Sequence, residues 1–137
     1  MGKRFTLGKN ERLKSRKLIE QLFHSGKRFS VSSYRVFYLM NKIPGNQKIK
    51  FTIQFGVGVS GKSFKKAVDR NRIKRLIRES YRLQKNELQK ILTEKKLQLN
   101  IFFIYTHGEL PDFNTTKIKV NVALEKILQV VKEMKIS

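Results

Sequence analysis

The chain has 137 residues, of which 39% are hydrophobic, and it carries 31 lysines and arginines against 10 aspartates and glutamates. This length suits one domain covering residues 1–137, and the hydrophobic content suffices for a folded core. The net charge of +21 opposes compaction by self-repulsion and therefore predicts a polyanionic partner. The absence of cysteine excludes disulfides, thiolate metal sites and cysteine nucleophiles, and two histidines are too few for a histidine-rich metal site.

The first forty residues predict a basic arm, a short helix and a strand. Residues 1–11 are basic and lack periodicity, which predicts a flexible arm; they contain no apolar segment of a secretory signal, so we expect a cytoplasmic location. Ser15 is placed to cap a helix that ends at Gly26 and whose apolar face comprises Leu18, Ile19, Leu22 and Phe23. Residues 34–40 are rich in aromatic and β-branched side chains and predict a strand.

The clearest period in the chain lies in residues 48–59. Apolar residues alternate there with polar residues or glycine, which predicts a long strand with one buried face. Because Pro44-Gly45 supplies a turn, we expect this strand to pair antiparallel with residues 34–40. A bend at Gly56 or Gly58 would divide the long strand in two.

The remaining chain predicts a helix, a strand and a final helix. A basic helix is expected over about residues 66–92, and residues 97–105 alternate as a strand. Asn114 or Thr115 is expected to cap a last helix whose apolar stripe comprises Val120, Leu124, Ile127, Leu128, Val131 and Met134. The predicted order is therefore α-β-β-β-α-β-α, an α+β fold.

The basic helix is the strongest functional signal. Residues 62–85 hold ten basic and two acidic side chains. A helical period places Ile73, Leu76, Ile77, Ser80 and Gln84 on one side and cations on the other. Solvated helices usually mix charges at i,i+4 spacing, whereas this face is almost entirely cationic, and its arginines suit forked phosphate contacts. The pattern predicts binding to a phosphate-rich polyanion whose affinity falls steeply with salt.

Residues 56–63, Gly-Val-Gly-Val-Ser-Gly-Lys-Ser, match both a P-loop and a dinucleotide-binding pattern. A P-loop domain needs an acidic residue ending a neighbouring apolar strand to hold Mg²⁺, but residues 97–105 are followed by Thr106 and His107. The preceding strand is also amphipathic, whereas doubly wound sheets use strands that are apolar on both faces. We therefore favour a glycine-rich strand end and expect no nucleotide cofactor, keeping a small P-loop NTPase as an alternative.

Catalytic constellations are otherwise sparse. His107, Glu109 and Asp112 lie close together in a loop with glycine and proline, where such residues usually form turns and caps. His24 lies near the end of the first predicted helix, where its imidazole interacts favourably with the helix dipole. No two carboxylates are spaced like a two-metal nuclease site. We therefore expect no catalytic residue and no metal site in this chain.

Residues 66–79 carry the most specific pattern: Arg70-Asn71-Arg72, then Lys74-Arg75, then Arg78. This arrangement resembles the signature of the bacterial ribonuclease P protein family. The similarity extends upstream through Gly58-Val59-Ser60, Leu22-Phe23 with Gly26, and Arg12-Leu13-Lys14, and downstream through the strand at Ile101 and the last helix. It covers about residues 10–135 in element order.

The resemblance implies both a fold and a function. The fold is a small two-layer α/β sandwich, similar to ribosomal-protein folds, with a mixed sheet of about four strands and a left-handed β-α-β crossover around the basic helix. In the family, the protein binds a large catalytic RNA whose own Mg²⁺ ions cleave precursor tRNA to make the mature 5′ end. The protein holds the single-stranded 5′ leader in a cleft between the first helix and the sheet.

Carried over position by position, the resemblance assigns RNA contacts to Lys62, Lys66, Arg70, Asn71, Arg72, Lys74, Arg75 and Arg78. It assigns the leader cleft to Phe23, Tyr34 and Phe37, with Ile19 standing where the family usually has phenylalanine. Tyr34 and Phe37 differ in strand parity, so both line one cleft only if the strand twists or bulges. Residues 61–65 form a loop one residue longer than usual, with Gly61 in place of a lysine.

Two further alternatives share the high charge. A ribosomal or other structured-RNA-binding protein without a processing role would have the same basic helix and sheet. A membrane-surface protein would need a large apolar face opposite the charge, and Ser80 and Gln84 interrupt that face. No apolar run approaches the length of a membrane span, so we expect an RNA partner rather than a membrane.

Overall fold

Residues 11–43 and 52–134, which the computed structural model describes, form four helices and four strands. The predicted α+β class and the mixed four-stranded sheet are confirmed. In chain order the elements are α1 (Arg16–Ser25), β1 (Lys27–Val31), β2 (Tyr34–Lys42), β3 (Ile53–Val59), α2 (Ala67–Gln84), α3 (Asn86–Lys95), β4 (Leu97–Tyr105) and α4 (Phe113–Glu133). Most of the predicted basic arm, the Pro44-Gly45 turn and the predicted strand residues before Thr52 lie outside the described residues.

The strand order is β1-β2-β4-β3, which corrects the expected hairpin between β2 and β3. β4 lies between these two strands, antiparallel to β2 and parallel to β3. The physical reason is that β4 has apolar side chains on both faces, with Ile101 and Phe103 on one and Phe102 and Ile104 on the other. A strand of this kind is stabilised best at the centre of a sheet, where both of its faces are covered.

The extra strand comes from a different place than predicted. β3 continues as a regular strand through Gly56 and Gly58, so the expected bend there is wrong. The additional strand is β1, which pairs antiparallel with β2 across a two-residue turn at Ser32 and Ser33. β1 is short and mostly exposed, so its sequence has no clear apolar alternation to reveal it.

The helix boundaries agree with the local signals in part. Ser15 caps α1 as predicted, since its Oγ accepts a hydrogen bond of 3.3 Å from the Leu18 amide. The single basic helix expected over residues 66–92 is instead two helices that meet at Lys85, whose ammonium pairs with Glu11. The cap of α4 is Asp112 rather than Asn114 or Thr115.

The sheet has a large core on one face and a smaller one on the other. Helices α2, α3 and α4 cover the first face, and their buried side chains form one cluster with residues of all four strands. The apolar stripe predicted for α4 is confirmed, because Val120, Leu124, Ile127 and Val131 are buried in this cluster. Helix α1 packs on the opposite face, around Leu13, Leu22 and Phe37. The connection from β3 through α2 and α3 to β4 is the β-α-β crossover that the resemblance implies to be left-handed.

The cap of α4 predicts a pH-dependent stability. A carboxylate oxygen of Asp112 accepts a hydrogen bond of 2.7 Å from the Thr115 amide, and this bond lowers the pKa of the exposed carboxyl. Because the folded-state pKa lies below the unfolded value of about 3.9, this stabilisation is present above that pH and is lost as the pH falls through the folded-state pKa.

We therefore expect Asp112→Asn, which keeps a capping oxygen but does not titrate, to melt below the wild type at neutral pH. This gap in melting temperature should shrink below about pH 4. Thermal melts of both proteins across this pH range test it, and a gap independent of pH would contradict it.

Candidate nucleic-acid interface

The glycines of the predicted nucleotide motif have a packing role. Gly56 and Gly58 lie in β3 on the face that carries α1, where the ring of Phe102 from β4 covers them. A Cβ atom added at Gly56 would lie 2.6 Å from Cδ2 of Phe102 and 3.2 Å from the Leu13 carbonyl oxygen. Gly56 has no positive φ, and its backbone is an extended strand rather than a phosphate-binding loop. The glycine pair therefore makes room for an aromatic ring.

Gly56→Ala is expected to lower the free energy of unfolding by about 1–3 kcal/mol, because the new methyl group overpacks against Phe102 and the Leu13 backbone. Gly61→Ala is the matched control, since a Cβ at Gly61 meets nothing within 4 Å. Urea denaturation of both variants measures the difference. Equal stability of the two would show that Phe102 moves aside without cost.

An aromatic cluster marks the cleft between α1 and the sheet. The rings of Phe23 and Phe37 are 4.8 Å apart, and those of Phe23 and Phe102 are 5.3 Å apart, nearly perpendicular. Phe37 and Phe102 are partners in the register of β2 and β4, so Phe23 of α1 lies against two neighbouring strands. Ile19 packs beside them and is partly buried. Phe23 is 39% exposed, so an aromatic surface is accessible to solvent at this cleft.

Tyr34 does not line this cleft, which corrects the assignment made from the resemblance. Strand β2 is regular, so Tyr34 and Phe37 point to opposite faces, and Tyr34 is buried in the large core at 3% exposure. Its hydroxyl lies 3.0 Å from Thr116 Oγ1 of α4, and its ring packs 5.0 Å from that of Tyr105. Burial raises the pKa of Tyr34. The side chain therefore has a structural role.

Helix α2 is fixed to the sheet by its apolar side. Ile73, Ile77 and Ser80 are buried as predicted, and Tyr81 is buried with them. The ring of Tyr81 stacks on that of Phe55 from β3, with centroids 4.0 Å apart and planes at 7°. Burial raises the pKa of Tyr81, which keeps its hydroxyl neutral. This attachment determines which side of α2 faces solvent.

The predicted RNA-binding residues lie on or beside the solvent side of α2. Lys62, Lys66, Asn71, Arg72 and Arg75 are exposed, and Arg70, Lys74 and Arg78 are partly buried. Within residues 11–43 and 52–134, no carboxylate lies within 4.0 Å of any of the seven lysines and arginines in this set. Their positive charge is therefore not neutralised by ion pairs in that part of the chain. Such a surface attracts polyanions strongly.

Arg70 differs from its exposed neighbours, because its side chain is partly buried and bound to the backbone. Its Nη1 donates hydrogen bonds of 2.7 and 2.8 Å to the carbonyl oxygens of Phe64 and Lys65. The guanidinium thus fastens the loop after β3 to the first turn of α2. Helical spacing indicates this inward position, since Arg70 precedes buried Ile73 by three residues and Ile77 by seven.

Arg12 is a further cation of this surface. It is not among the RNA-binding residues predicted from the resemblance. The backbone beside it runs along β3, with Arg12 bridged to Phe55 and the Leu13 amide donating to the Phe55 carbonyl at 2.9 Å. Burial lowers the pKa of Arg78, and the charge of Arg12 lowers it further. The Nε of Arg12 is buried and has no acceptor within the described residues. Two neighbouring guanidinium groups with an unused donor favour a bound anion.

The loop before α4 has the chemistry of a turn. His107 Nε2 lies 3.8 Å from a carboxylate oxygen of Glu109, and both side chains are exposed. Asp112 serves as the cap of α4. Across residues 11–43 and 52–134, no three His, Asp or Glu side chains are grouped so that they could hold a metal ion. The helices in this same portion of the chain include none that is both long and apolar enough to cross a membrane.

Comparisons with known proteins agree with this geometry. A family model described as ribonuclease P matches residues 7–128. The ribonuclease P protein component of Porphyromonas gingivalis is 38% identical over 123 residues, covering 90% of this chain and 87% of the relative. That of Chlorobium phaeobacteroides is 31% identical over 130 residues, covering 89% and 88%. The solved ribonuclease P protein of Thermotoga maritima has a TM-score of 0.57 at 25% identity, covering 91% of this chain and 98% of that one.

Proposed function

This chain belongs to the ribonuclease P protein family, and we propose on that basis that it is the protein subunit of a ribonuclease P, an endoribonucleoprotein that matures the 5′ end of tRNA. In this role the chain binds the ribonuclease P RNA and the 5′ leader of precursor tRNA. The complex works in the cytoplasm, where tRNA precursors are made.

The observation that carries the proposal is the unneutralised cationic surface of α2. Arg72 and Arg75 are exposed on it, and the paired guanidinium groups of Arg12 and Arg78 lie beside it. Arginine presents a planar fork of donors that matches phosphate oxygens. A backbone of RNA phosphates supplies the anions that this surface lacks within the described chain.

The aromatic cleft supports a contact with the leader. Phe23 presents a partly exposed ring above Phe37 and Phe102, and unpaired bases stack on such rings with little sequence preference. Ile19 contributes an apolar side chain but no stacking surface at the position where the family usually has phenylalanine. Phe102 lies over Gly56 and Gly58 and enlarges the aromatic surface from β4. These features suit a leader of varied sequence.

The chemistry of cleavage is assigned to the RNA, whose bound Mg²⁺ ions would supply it. The described residues of this chain include no group of three or more His, Asp or Glu side chains that could hold a metal ion. The contribution of the chain is to bind phosphates and to hold the leader. Neutralising phosphates in this way lowers the Mg²⁺ concentration that the RNA needs.

The test is 5′ processing of a precursor tRNA by the ribonuclease P RNA of the same organism, with and without this chain, at low Mg²⁺. We expect the chain to restore cleavage, and Arg72→Gln with Arg75→Gln to remove most of that effect. Lys90→Gln with Lys117→Gln removes the same charge from exposed positions on α3 and α4 and should retain it. Tight RNA binding without any rescue of cleavage would instead indicate a structured-RNA-binding protein with no processing role.

A further inference from the structure

The face of the sheet that carries α1 has a basic end that the leader-cleft assignment does not include. Arg28 of β1 and Arg35 of β2 are both exposed. Arg28 is the register partner of Phe37, and Arg35 lies two residues before Phe37 on the same strand. Partners in register and residues two apart share a face, so both arginines lie on the side of Phe37 and α1. A depression of about 470 Å³ is lined by Arg28, Phe29, Ser30 and Arg35.

This basic end is continuous with the aromatic cleft. The register of the sheet aligns one row across all four strands, consisting of Arg28, Phe37, Phe102 and Gly56. The next row consists of Ser30, Arg35, Ile104 and Gly58. With neighbouring strands about 4.8 Å apart, each row spans about 14 Å from β1 to β3. At the β3 end, Gly58 leads into the loop that carries Lys62 and into α2.

The β1 side of these rows is therefore positive, and their middle is aromatic and apolar, with Phe37 buried beneath the exposed ring of Phe23. Their β3 ends are glycines that continue into the basic loop and α2. Within the described part of the chain, neither Arg28 nor Arg35 has a carboxylate within 4.0 Å. Proteins that bind single-stranded nucleic acid combine cations for the phosphates with aromatic rings for the bases. The order from the β1-side arginines, past the exposed ring of Phe23, to the basic loop after β3 fits one extended strand crossing this side of the sheet.

We propose that Arg28 and Arg35 form a phosphate subsite for the distal part of the 5′ leader, beyond the nucleotides that stack in the aromatic cleft. The leader then crosses this side of the sheet from the loop after β3, past the exposed ring of Phe23, to the β1 edge. This inference rests on the proposed function, because it takes the leader to be the strand in the cleft. It adds a phosphate contact that acts only on leaders long enough to reach β1.

The experiment measures binding of precursor tRNAs by the reconstituted holoenzyme, with leaders lengthened one nucleotide at a time. The wild type should gain affinity until the leader reaches the subsite. The double variant Arg28→Gln with Arg35→Gln should stop gaining affinity at a shorter leader length. It should bind the longest leader about tenfold more weakly than the wild type does. The slope of log affinity against log salt for that leader should decrease by about 1.4, the value for two single-strand phosphate contacts.

Matched controls separate the subsite from general charge and from folding. Lys90→Gln with Lys117→Gln removes two charges elsewhere and should keep the wild-type dependence on leader length. Arg28→Lys with Arg35→Lys keeps the charge but loses the forked geometry of the guanidinium. Its affinity for long leaders should therefore lie between those of the wild type and the glutamine variant. All of these positions are exposed, and melting temperatures check that each variant is folded.

The outcomes distinguish the two proposals. A glutamine variant that matches the wild type at every leader length would overturn the subsite while leaving the proposed function intact. A wild-type holoenzyme whose affinity did not change with leader length would contradict both, because no leader would then be bound in the cleft. Loss confined to the long leaders supports the subsite.

Discussion

Replacing Arg72 and Arg75 together with glutamine is expected to weaken binding to the ribonuclease P RNA by about tenfold to a hundredfold at moderate salt. Both side chains are exposed on α2, and neither has a carboxylate within 4.0 Å among the described residues. Their removal therefore costs phosphate contacts without breaking an ion pair in that part of the chain. Filter binding or fluorescence titration over a range of salt concentrations measures the effect, and the salt slope should become shallower.

The control for this prediction is Lys90→Gln with Lys117→Gln, which lowers the net charge equally and should change RNA affinity much less. Arg70 is unsuitable for the same test, because its guanidinium holds the Phe64 and Lys65 carbonyls and its loss would also loosen the loop. Equal weakening by the test and control variants would show that the RNA responds to total charge rather than to the surface of α2.

Phe55→Ala is expected to lower the free energy of unfolding by about 3–5 kcal/mol. Phe55 is 1% exposed, and its ring stacks on Tyr81 and packs against Phe103. The truncation leaves a cavity between β3 and α2, so the attachment of the basic helix to the sheet is weakened together with core packing. Urea denaturation followed by circular dichroism measures the change.

Leu83→Ala provides the comparison, since Leu83 lies on α2, the helix that Phe55 helps to hold, but is 44% exposed. Its truncation should change the free energy of unfolding by no more than about 0.5 kcal/mol. A loss for Phe55→Ala no larger than that of Leu83→Ala would mean that α2 is held mainly by its contacts with α4. RNA affinity of the folded Phe55→Ala fraction should also fall, because the cations of α2 would no longer be fixed relative to the sheet.

The sequence predicted those features that depend on local pattern. Ser15 caps α1 because a short polar side chain precedes a helical period, and Ile73 and Ile77 are buried because they recur at helical spacing. Tyr81 fits the same helical period, four residues after Ile77, but its polar hydroxyl argues against burial in a sequence pattern. The basic surface was predictable because charge of one sign on one helix face is visible in a single sequence.

Features that depend on contacts distant in sequence were not predictable in the same way. Alternation and turn residues alone do not place β4 between β2 and β3, because strand order is decided by what covers both faces of each strand. The role of Gly56 depends on Phe102, whose ring comes from another strand. Strand parity had indicated that Tyr34 and Phe37 face opposite ways, and the absence of a bulge in β2 decided which of them reaches the cleft.

The pairing of Arg12 and Leu13 with Phe55 also bears on self-association. β3 and β1 are the two outer strands of the sheet, and unpaired backbone groups on such strands can recruit a second chain. Part of β3 is already occupied by the backbone of residues 12 and 13. β1 has only five residues and begins with Lys27 and Arg28, so a second copy approaching it meets like charge. The cations that favour RNA thus also discourage sheet-to-sheet aggregation while the chain awaits its RNA.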